Sequence, residues 1–160
     1  MTSLTRYRAR IQPEWIDYNG HLRDAYYGLV LSYAIDDVMD QLGLDAHYRE
    51  RTRCTLYTLE LHMRYLEEVK ESDPLEVETS ILDADAKRIH AGCRFTRGSS
   101  ETVARGEVML LHVHQGDPPA SARLPPDIER TLATLQLSVE ASAAWGPKSD
   151  KIQLRHRTSQ

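Results

Sequence analysis

The stretch DAYYGLVLSYAIDDVMDQLG, residues 24–43, decides the fold. It predicts a helix over Ala25–Leu42, because no proline interrupts it, Asp24 can act as the N-cap and Gly43 can end it. The first half is apolar nearly all round, and three residues at helical spacing mark its polar edge: Ser32, Asp36 and Asp40. A helix of this kind must be covered by other elements on most of its sides.

Segments of alternating apolar and polar residues precede and follow this helix. They run over Tyr7–Ile11, Tyr57–Tyr65, Leu75–Ile81 and Ile89–Phe95. Alternation with a period of two predicts strands that each bury one face. A fifth run, Val103–His114, is apolar on both faces in its second half, which predicts a strand in the interior of the sheet.

The order along the chain is one strand, one buried helix and then four meandering strands. Short polar linkers, Glu71–Pro74 and Asp83–Asp85, predict turns between antiparallel neighbours. The arrangement that satisfies this order is an α+β fold in which an antiparallel sheet of about five strands curls around the helix. The long edge of such a sheet needs cover, so we expect a homodimer or a tetramer.

The segment after the last long strand predicts a terminal helix and a tail. Residues Gln115–Pro126 are rich in proline, alanine and serine and are expected to end the sheet. A second helix is expected at about Asp127–Val139, with one apolar stripe formed by Ile128, Leu132 and Leu135. We therefore expect one domain over residues 1–140 and a partly ordered tail over residues 141–160.

Composition excludes several classes of protein. The 160 residues hold 24 acidic and 20 basic side chains, a formal charge of −4, without the basic excess of nucleic-acid binders. The two cysteines, Cys54 and Cys93, form no CxxC pair and fit a reducing compartment. Met1–Arg10 lacks the apolar region of a signal peptide, and the longest apolar run, Ala25–Ile35, is shorter than the ~20 residues that span a bilayer. The expectation is a cytoplasmic protein without membrane or nucleic-acid partners.

Common catalytic and cofactor motifs are missing from the sequence. It contains no GxSxG, GxxxxGK[ST], GxGxxG or HExxH string. His112 and His114 lie two residues apart and could share a metal ion, but no third ligand is close in sequence. The polar end of a strand is the better interpretation, so no metal and no cofactor are expected.

The segment PEWIDYNGHLRDAYY, residues 13–27, carries the chemistry. Aromatic residues (Trp15, Tyr18, Tyr26 and Tyr27) alternate there with polar ones (Asp17, Asn19 and His21), just ahead of a helix N-terminus. Free backbone N–H groups and the helix dipole could stabilise a developing oxyanion at such a place. The alternative is structural: Asp17 and Asn19 cap turns while the aromatic residues fix the start of the helix.

At this segment the sequence resembles a known family. DYNGHL, residues 17–22, is similar to the D-x-x-G-H-V motif of hotdog-fold acyl-CoA thioesterases of the 4-hydroxybenzoyl-CoA thioesterase type. The stretch from Leu61 to Val77 resembles the strand–turn–strand of that family, and the resemblance extends over Tyr7–His114. The longer string WIDYNGHLRDAYY, residues 15–27, is similar to betainyl-CoA thioesterases of carnitine breakdown.

The resemblance implies a mechanism. The aspartate of the motif, Asp17, would be the catalytic carboxylate, which either attacks the thioester carbonyl or draws a proton from the attacking water. The backbone N–H of Asp24 or of its neighbour would polarise the carbonyl oxygen. Asn19 and His21 would contact the substrate.

One departure from the family points to the acyl group. Many members carry two asparagines where this chain has Arg23 and Asp24, and an added negative charge there suits a cationic acyl chain. Aromatic faces and carboxylates bind a quaternary ammonium, and the candidates are Trp15, Tyr18, Tyr26, Tyr27, Asp24 and Asp36 or Asp37. The alternative is that the tyrosines belong to the helix core and Asp24 is an N-cap.

The phosphates of CoA require basic residues at the mouth of the site. Arg64 and Arg88 are the first candidates, followed by Lys70, Lys87, Arg94 and Arg105. The leading interpretation is an enzyme that hydrolyses a small cationic acyl-CoA such as betainyl-CoA to acid and CoA. The alternatives are a hydratase or dehydratase on the same fold and a non-catalytic acyl-CoA-binding module.

Overall fold

A computed structural model describes residues 3–98, 101–143 and 145. The predicted tail therefore lies outside the described residues from residue 146 onward. The strands are β1 (Thr5–Ala9), β2 (Cys54–Tyr65), β3 (Leu75–Ala84), β4 (Arg88–Arg97), β5 (Glu101–His114) and β6 (Ala120–Ser121). The helices are a 3₁₀ turn (Pro13–Trp15), α1 (Asp24–Gln41), α2 (Ala46–Thr52), α3 (Pro126–Leu135) and α4 (Val139–Ala143).

The strands form one antiparallel sheet in the order β1-β3-β4-β5-β2, with the two-residue β6 paired to β5. Helix α1 packs against its inner face, and Val30, Ala34 and Val38 are fully buried there. The predicted α+β architecture, a sheet around one long helix with a further helix after it, is confirmed. The prediction that β5 lies inside the sheet is also confirmed, because β4 and β2 flank it.

The two ends of α1 differ from each other. At the C-terminus, Gly43 adopts a φ of +75°, its N–H bonds to the carbonyl of Asp40, and the N–H of Leu44 bonds to Met39. This is a Schellman motif, so the prediction that Gly43 ends the helix is confirmed. At the N-terminus the prediction was wrong by one position: Arg23 is the N-cap, and Asp24 is the first helical residue.

The predicted turn at Glu71–Pro74 is present, with the N–H of Asp73 bonded to the carbonyl of Lys70, but the prediction that it joins antiparallel neighbours is wrong. Strands β2 and β3 are not neighbours, because β3 pairs with β1 and β4 while β2 pairs with β5 at the far edge. The linking segment instead crosses the start of α1, where the carbonyl of the buried Val69 accepts the N–H of Leu22 at 2.7 Å. The predicted turn between β3 and β4 is confirmed, although Asp83 and Ala84 still belong to β3.

The predicted buried face of β2 is interrupted. A β-bulge between Thr58 and Glu60 leaves Leu59 as an extra residue, and the alternation changes faces at that point. As a result the exposed fractions of Leu59 and Leu61 are 55% and 43%. The edge strand of the sheet therefore keeps an uncovered apolar surface.

The outer face of the sheet is covered more fully than the alternation predicted. In β3, Glu78 and Ser80 are buried on this face, where Glu78 pairs with Arg6 and Arg94. The cover comes from α3 and the residues that follow it, since the N–H of Leu137 bonds to the carbonyl of Ile81 at 2.9 Å.

The chain after β5 departs from the prediction in detail. A two-residue strand, β6, extends the sheet inside the segment expected to end it. Helix α3 buries Ile128 and Leu132 as predicted, but it stops at Leu135 instead of Val139, which begins α4. The sequence analysis also missed α2, whose N-cap Asp45 accepts the N–H of Tyr48 at 2.8 Å.

Candidate active site

A cleft of about 640 Å³ opens at the N-terminus of α1. Its lining comes from the first turns of α1, from the end of β2 and from the segment that follows β2. Asp24 and Tyr27 contribute from α1, Tyr65 from β2, and Glu67 and Glu68 from the segment. The helix dipole therefore acts on a cavity that aromatic rings and carboxylates enclose.

Two tyrosine rings form the aromatic part of the cleft. Tyr27 and Tyr65 meet edge to face, with ring centroids 5.1 Å apart. Tyr27 is 3% exposed and also contacts Phe95, whereas Tyr65 is 50% exposed. Burial raises the pKa of Tyr27 to about 12, so its ring is neutral at physiological pH. The pair therefore presents Tyr65 to the cleft, with Tyr27 packed behind it.

The charges around the cleft are mainly negative. Asp24, Glu67 and Glu68 line it, and the Nε2 atom of His21 lies 3.0 Å from a carboxylate oxygen of Glu68. Lys70 and Arg97 are the basic residues of the lining. The guanidinium of Arg97 is bound to Asp73 and, at 2.6 Å, to Glu101, so two carboxylates outside the lining already balance its charge.

Asp17 closes the loop that leads into α1. Its Oδ1 atom accepts the N–H of Asn19 at 2.8 Å and the N–H of His21 at 3.1 Å. These bonds lower the pKa of the Asp17 carboxyl, with His21 as the larger contribution. The carboxylate is half-buried, and no basic side chain among the described residues pairs with it. It is therefore held by the backbone and ionised at neutral pH.

The same loop separates two cavities. His21 lines the cleft at α1, and Gly20 lines a second cleft of about 830 Å³ on the other side. Asp17 lies in this loop and does not itself line either cleft of the single chain. The φ of Gly20 is +80°, a conformation that glycine adopts without strain and that lets the loop turn there.

The first turn of α1 supplies hydrogen-bond donors. Arg23 donates its N–H to the carbonyl of Trp15, and Tyr26 donates its N–H to the carbonyl of Arg23. The N–H groups of Asp24 and Ala25 have no carbonyl one turn before them within the helix. They are the backbone groups available to polarise a carbonyl oxygen beside Asp24.

The structure brings some of the predicted substrate-binding residues together and separates others. Asp24, Tyr27 and His21 share the cleft. Trp15 and Tyr26 stack on each other at 5.4 Å outside its lining, and Tyr18 is 93% exposed. Asn19 is also exposed, with its N–H bound to Asp17. Asp36 and Asp37 lie twelve or more residues along α1 from Asp24, which at 1.5 Å per residue is about 18 Å away.

The predicted CoA-binding arginines lie apart from each other. Arg64 is exposed near the end of β2, while Arg88 is bound to Asp85 at 2.9 Å in the turn between β3 and β4. The second cleft offers Arg10 and Lys70, and Lys70 lines both cavities. Sequence analysis did not select Arg10, since an arginine at a strand end is usually an ordinary surface residue.

Among the aromatic and charged residues of the cleft, four escaped prediction as site residues: Tyr65, Glu67, Glu68 and Arg97. Tyr65 was assigned to the buried face of its strand. The others lie far from the motif in sequence, and only the pairing of β2 with β5 places the segment after Tyr65 beside α1. No local sequence pattern predicts the contact between this segment and α1.

Of the two histidines considered as metal ligands, His112 has a structural role. Buried His112 bonds through Nε2 to the hydroxyl of Tyr48 at 2.8 Å and through Nδ1 to the carbonyl of Ala122 at 3.1 Å, whereas His114 is exposed. Over the described part of the chain, no group of three potential ligands could hold a metal ion. None of the described helices is long and apolar enough to cross a membrane.

Comparison with known proteins gives a consistent result. A family model described as the thioesterase-like superfamily matches residues 11–132. The betainyl-CoA thioesterase of Pseudomonas aeruginosa is 44% identical over 142 residues, which cover 88% of this chain and 87% of that protein. The L-carnitine dehydrogenase/betainyl-CoA thioesterase of Agrobacterium fabrum is 40% identical over 139 residues, 86% of this chain but 28% of that longer protein.

Solved structures support the same grouping. A Staphylococcus aureus protein in complex with CoA superimposes with a TM-score of 0.79 and 26% sequence identity. The match covers 95% of this chain and 94% of the other. The architecture around α1 is therefore shared with a protein that has been seen bound to CoA.

Proposed function

The chain belongs to the thioesterase-like superfamily and has its hotdog fold, and we propose that it hydrolyses betainyl-CoA to betaine and CoA. Its similarity to the Pseudomonas aeruginosa enzyme extends over nearly the full length of both proteins. The single observation that carries the proposal is Asp17, an ionised carboxylate that backbone N–H groups hold in the loop leading into the N-terminus of α1.

The proposed reaction uses two parts of this loop and helix. The N–H groups of Asp24 and Ala25 polarise the thioester carbonyl oxygen, and the helix dipole adds to their effect. The Asp17 carboxylate either adds to the carbonyl carbon or takes a proton from the water that adds to it. The carbon–sulfur bond then breaks, and the thiolate of CoA leaves. When water is the nucleophile, this cleavage gives the acid directly; when Asp17 is the nucleophile, it gives an acyl-enzyme anhydride, which water then hydrolyses to the acid and free Asp17.

The character of the cleft supports a cationic acyl group. A trimethylammonium group donates no hydrogen bond, so aromatic faces and carboxylates must bind it. Tyr65 supplies the aromatic face, and Asp24 supplies a carboxylate without a basic partner within 4 Å among the described residues. The name of the Agrobacterium relative, which combines an L-carnitine dehydrogenase with a betainyl-CoA thioesterase, supports a role in carnitine breakdown.

For the CoA part of the substrate we propose the second cleft, where Arg10 and Lys70 provide positive charge. Lys70 also lines the acyl cleft, so one side chain can serve the junction between the two parts of the substrate. Arg64 and Arg88 remain predicted CoA contacts, and they lie on other parts of the surface.

We also propose that the protein is at least a homodimer that pairs through β2. No strand among the described residues lies beside the outer edge of β2. Leu59, Leu61 and Leu66 are between 43% and 55% exposed along this side. Long apolar edge strands are normally covered by a partner. Since Tyr65 of the same strand lines the cleft, a second copy on β2 would lie close to the active site. Buried, unpaired Cys54 and Cys93 agree with the expected cytoplasmic location.

A thiol-release assay tests the proposed function. Purified protein is mixed with a panel of CoA thioesters that carry betainyl, short linear, branched and aromatic acyl groups, and free CoA is measured. We expect release from every substrate that fits, with the highest kcat/KM for betainyl-CoA.

Two outcomes of the assay would contradict the proposal. Thermal stabilisation by acyl-CoA without any release of thiol would indicate a binding module. Addition of water to an enoyl-CoA with the thioester intact would indicate a hydratase.

A further inference from the structure

We propose that Tyr65 and Asp24, two residues from different elements of the fold, together select a cationic acyl group over a neutral one of the same shape. This inference rests on the proposed thioesterase function and deepens it. It assigns substrate selectivity to the end of β2 and to Asp24 in the first turn of α1, and it excludes Trp15, Tyr18 and Tyr26.

The aromatic rings around the start of α1 differ in their accessibility to a ligand. Among the tyrosines of the candidate region, Tyr65 combines a place in the cleft lining with a half-exposed side chain. Tyr27 lies behind it, and the edge-to-face contact of 5.1 Å fixes the orientation of the Tyr65 ring. A cation in the cleft can therefore reach an aromatic face that is already in place.

The ring of Tyr65 lies beside the first turn of α1. The hydroxyl group of Tyr65 donates a hydrogen bond to the main-chain carbonyl of Asp24 at 3.3 Å. The ring thus stands over the first turn of α1, where the proposed oxyanion donors also lie. In betainyl-CoA one methylene group separates the carbonyl carbon from the quaternary nitrogen, so both ends of this short acyl group must bind in the same place.

The negative charge of the cleft also favours a cationic ligand. The carboxylate of Asp24 has no basic side chain within 4 Å among the described residues, and Glu67 lines the same cleft. Burial, and after it the charge of Asp24, raise the pKa of Tyr65, which shows that the carboxylate and the ring share one electrostatic environment. Of the two basic residues of the lining, Arg97 is bound to Asp73 and Glu101, and Lys70 also lines the second cleft, where we propose that it serves CoA. A ligand cation would therefore supply the missing positive charge.

The other aromatic residues of the segment 13–27 do not meet these conditions. Trp15 and Tyr26 cover each other's faces in a stack with an interplanar angle of 15°, and neither lines the cleft. Tyr18 is almost fully exposed and lines neither of the two clefts. We therefore assign Trp15 and Tyr26 to fixing the start of the helix.

The test compares betainyl-CoA with its neutral isostere, the CoA thioester of 3,3-dimethylbutanoic acid, in which carbon replaces the quaternary nitrogen. The measured quantity is the ratio of kcat/KM for the two substrates. A substitution that changes the rate of thioester cleavage equally for both substrates leaves this ratio unchanged. The wild-type protein is expected to favour the cationic substrate. Y65L and D24N are each expected to reduce the ratio about tenfold, the rate equivalent of a cation–π or carboxylate contact.

Two further variants serve as controls. Y65F keeps the ring and should leave the ratio nearly unchanged, which separates the aromatic face from the hydroxyl bond to Asp24. D40N removes the same charge from the exposed far end of α1 and should also leave the ratio unchanged.

The outcomes distinguish this inference from the proposed function. Selective hydrolysis of betainyl-CoA by the wild type, with the same ratio in Y65L and D24N, would overturn the inference and leave the function intact. Hydrolysis of the neutral isostere at an equal or higher rate by the wild type would overturn both the cationic preference and its assignment to these residues. If Y65L loses its fold, an unchanged ratio in D24N alone is sufficient to overturn the inference.

Discussion

The Oδ1 atom of Asp17 accepts the N–H of His21 at 3.1 Å, so the proposed catalytic carboxylate is fixed by the loop that it closes. Asn19 donates a second backbone bond to the same oxygen. The carboxylate needs no basic side chain to remain ionised, and the loop needs the carboxylate to keep its shape. Structure and proposed chemistry therefore depend on the same two hydrogen bonds.

These bonds make a direct prediction for the titration of Asp17. Because both donors stabilise the charged form, the carboxyl should have a pKa below the ordinary value of 3.8. Carboxyl-carbon NMR of labelled protein measures it, and the resonance missing from D17N gives the assignment. A midpoint at or above 3.8 would show that the loop does not hold the carboxylate as described.

Acidification should weaken the contact between α2 and the sheet. Burial lowers the pKa of His112 from its ordinary value of 6.5, so the unfolded chain binds a proton more readily than the folded protein. The stability that neutral His112 contributes is complete above pH 6.5. It is lost as the pH falls from 6.5 to the lower pKa that His112 has in the folded protein. H112L should reduce the free energy of unfolding by about 1–3 kcal/mol at pH 8, because it leaves Tyr48 and Ala122 unpaired.

Denaturant unfolding of wild type and H112L at several pH values measures this effect. The difference between the two proteins should narrow between pH 8 and pH 5. A difference that stays constant or widens on acidification would show that His112 does not prefer its neutral form in the folded protein.

The exposed apolar edge of β2 predicts an oligomer that a single charge can disrupt. Replacement of Leu61 by lysine places a charge at the edge that we propose a second copy covers. Light scattering coupled to gel filtration should give at least twice the chain mass of 18.3 kDa for the wild type and a lower mass for L61K. V139K, which changes an apolar residue that is 73% exposed on α4, is the matched control and should keep the wild-type mass. A wild-type mass of one chain would refute the dimer.

The C-terminus of α1 allows a test of the Schellman motif. Gly43 has a φ of +75°, and an added Cβ would meet nothing within 4 Å, so its substitution costs backbone strain without a clash. G43A should lower the free energy of unfolding by about 1–2 kcal/mol. G43N should cost less, because asparagine tolerates the left-handed conformation. Equal stability of G43A and the wild type would contradict the assignment.

Much of the fold could be predicted because its signals are local. The apolar helix after Asp24, the glycine that ends it and the alternation in β3 and β4 each depend on neighbouring residues. The errors came from long-range contacts. The turn at Glu71–Pro74 suggests that β2 and β3 are neighbours, but β2 pairs with β5, so the segment between β2 and β3 crosses the start of α1. The bulge beside Leu59 moves the following side chains to the other face of the sheet.

The site was predictable only on one side of the cleft. His21, Asp24 and Tyr27 belong to one continuous motif, and the structure places all three in the cleft lining. Asp17 of the same motif lies in the loop before α1 and outside that lining. Tyr65 and Arg97 come from strands that the sequence does not connect to that motif, so tertiary pairing alone brings them to the cleft. The stack of Trp15 on Tyr26 shows the reverse case, in which residues close in sequence lie outside the cavity.

Release of CoA from betainyl-CoA by D17N, measured beside wild type and D40N, tests the central claim most directly. The asparagine oxygen can still accept the N–H groups of Asn19 and His21, so the thermal transition should be close to that of the wild type. The account predicts a loss of about 10²–10⁴-fold in kcat/KM for D17N and no loss for D40N. Folded D17N that releases CoA at the wild-type rate would contradict the account.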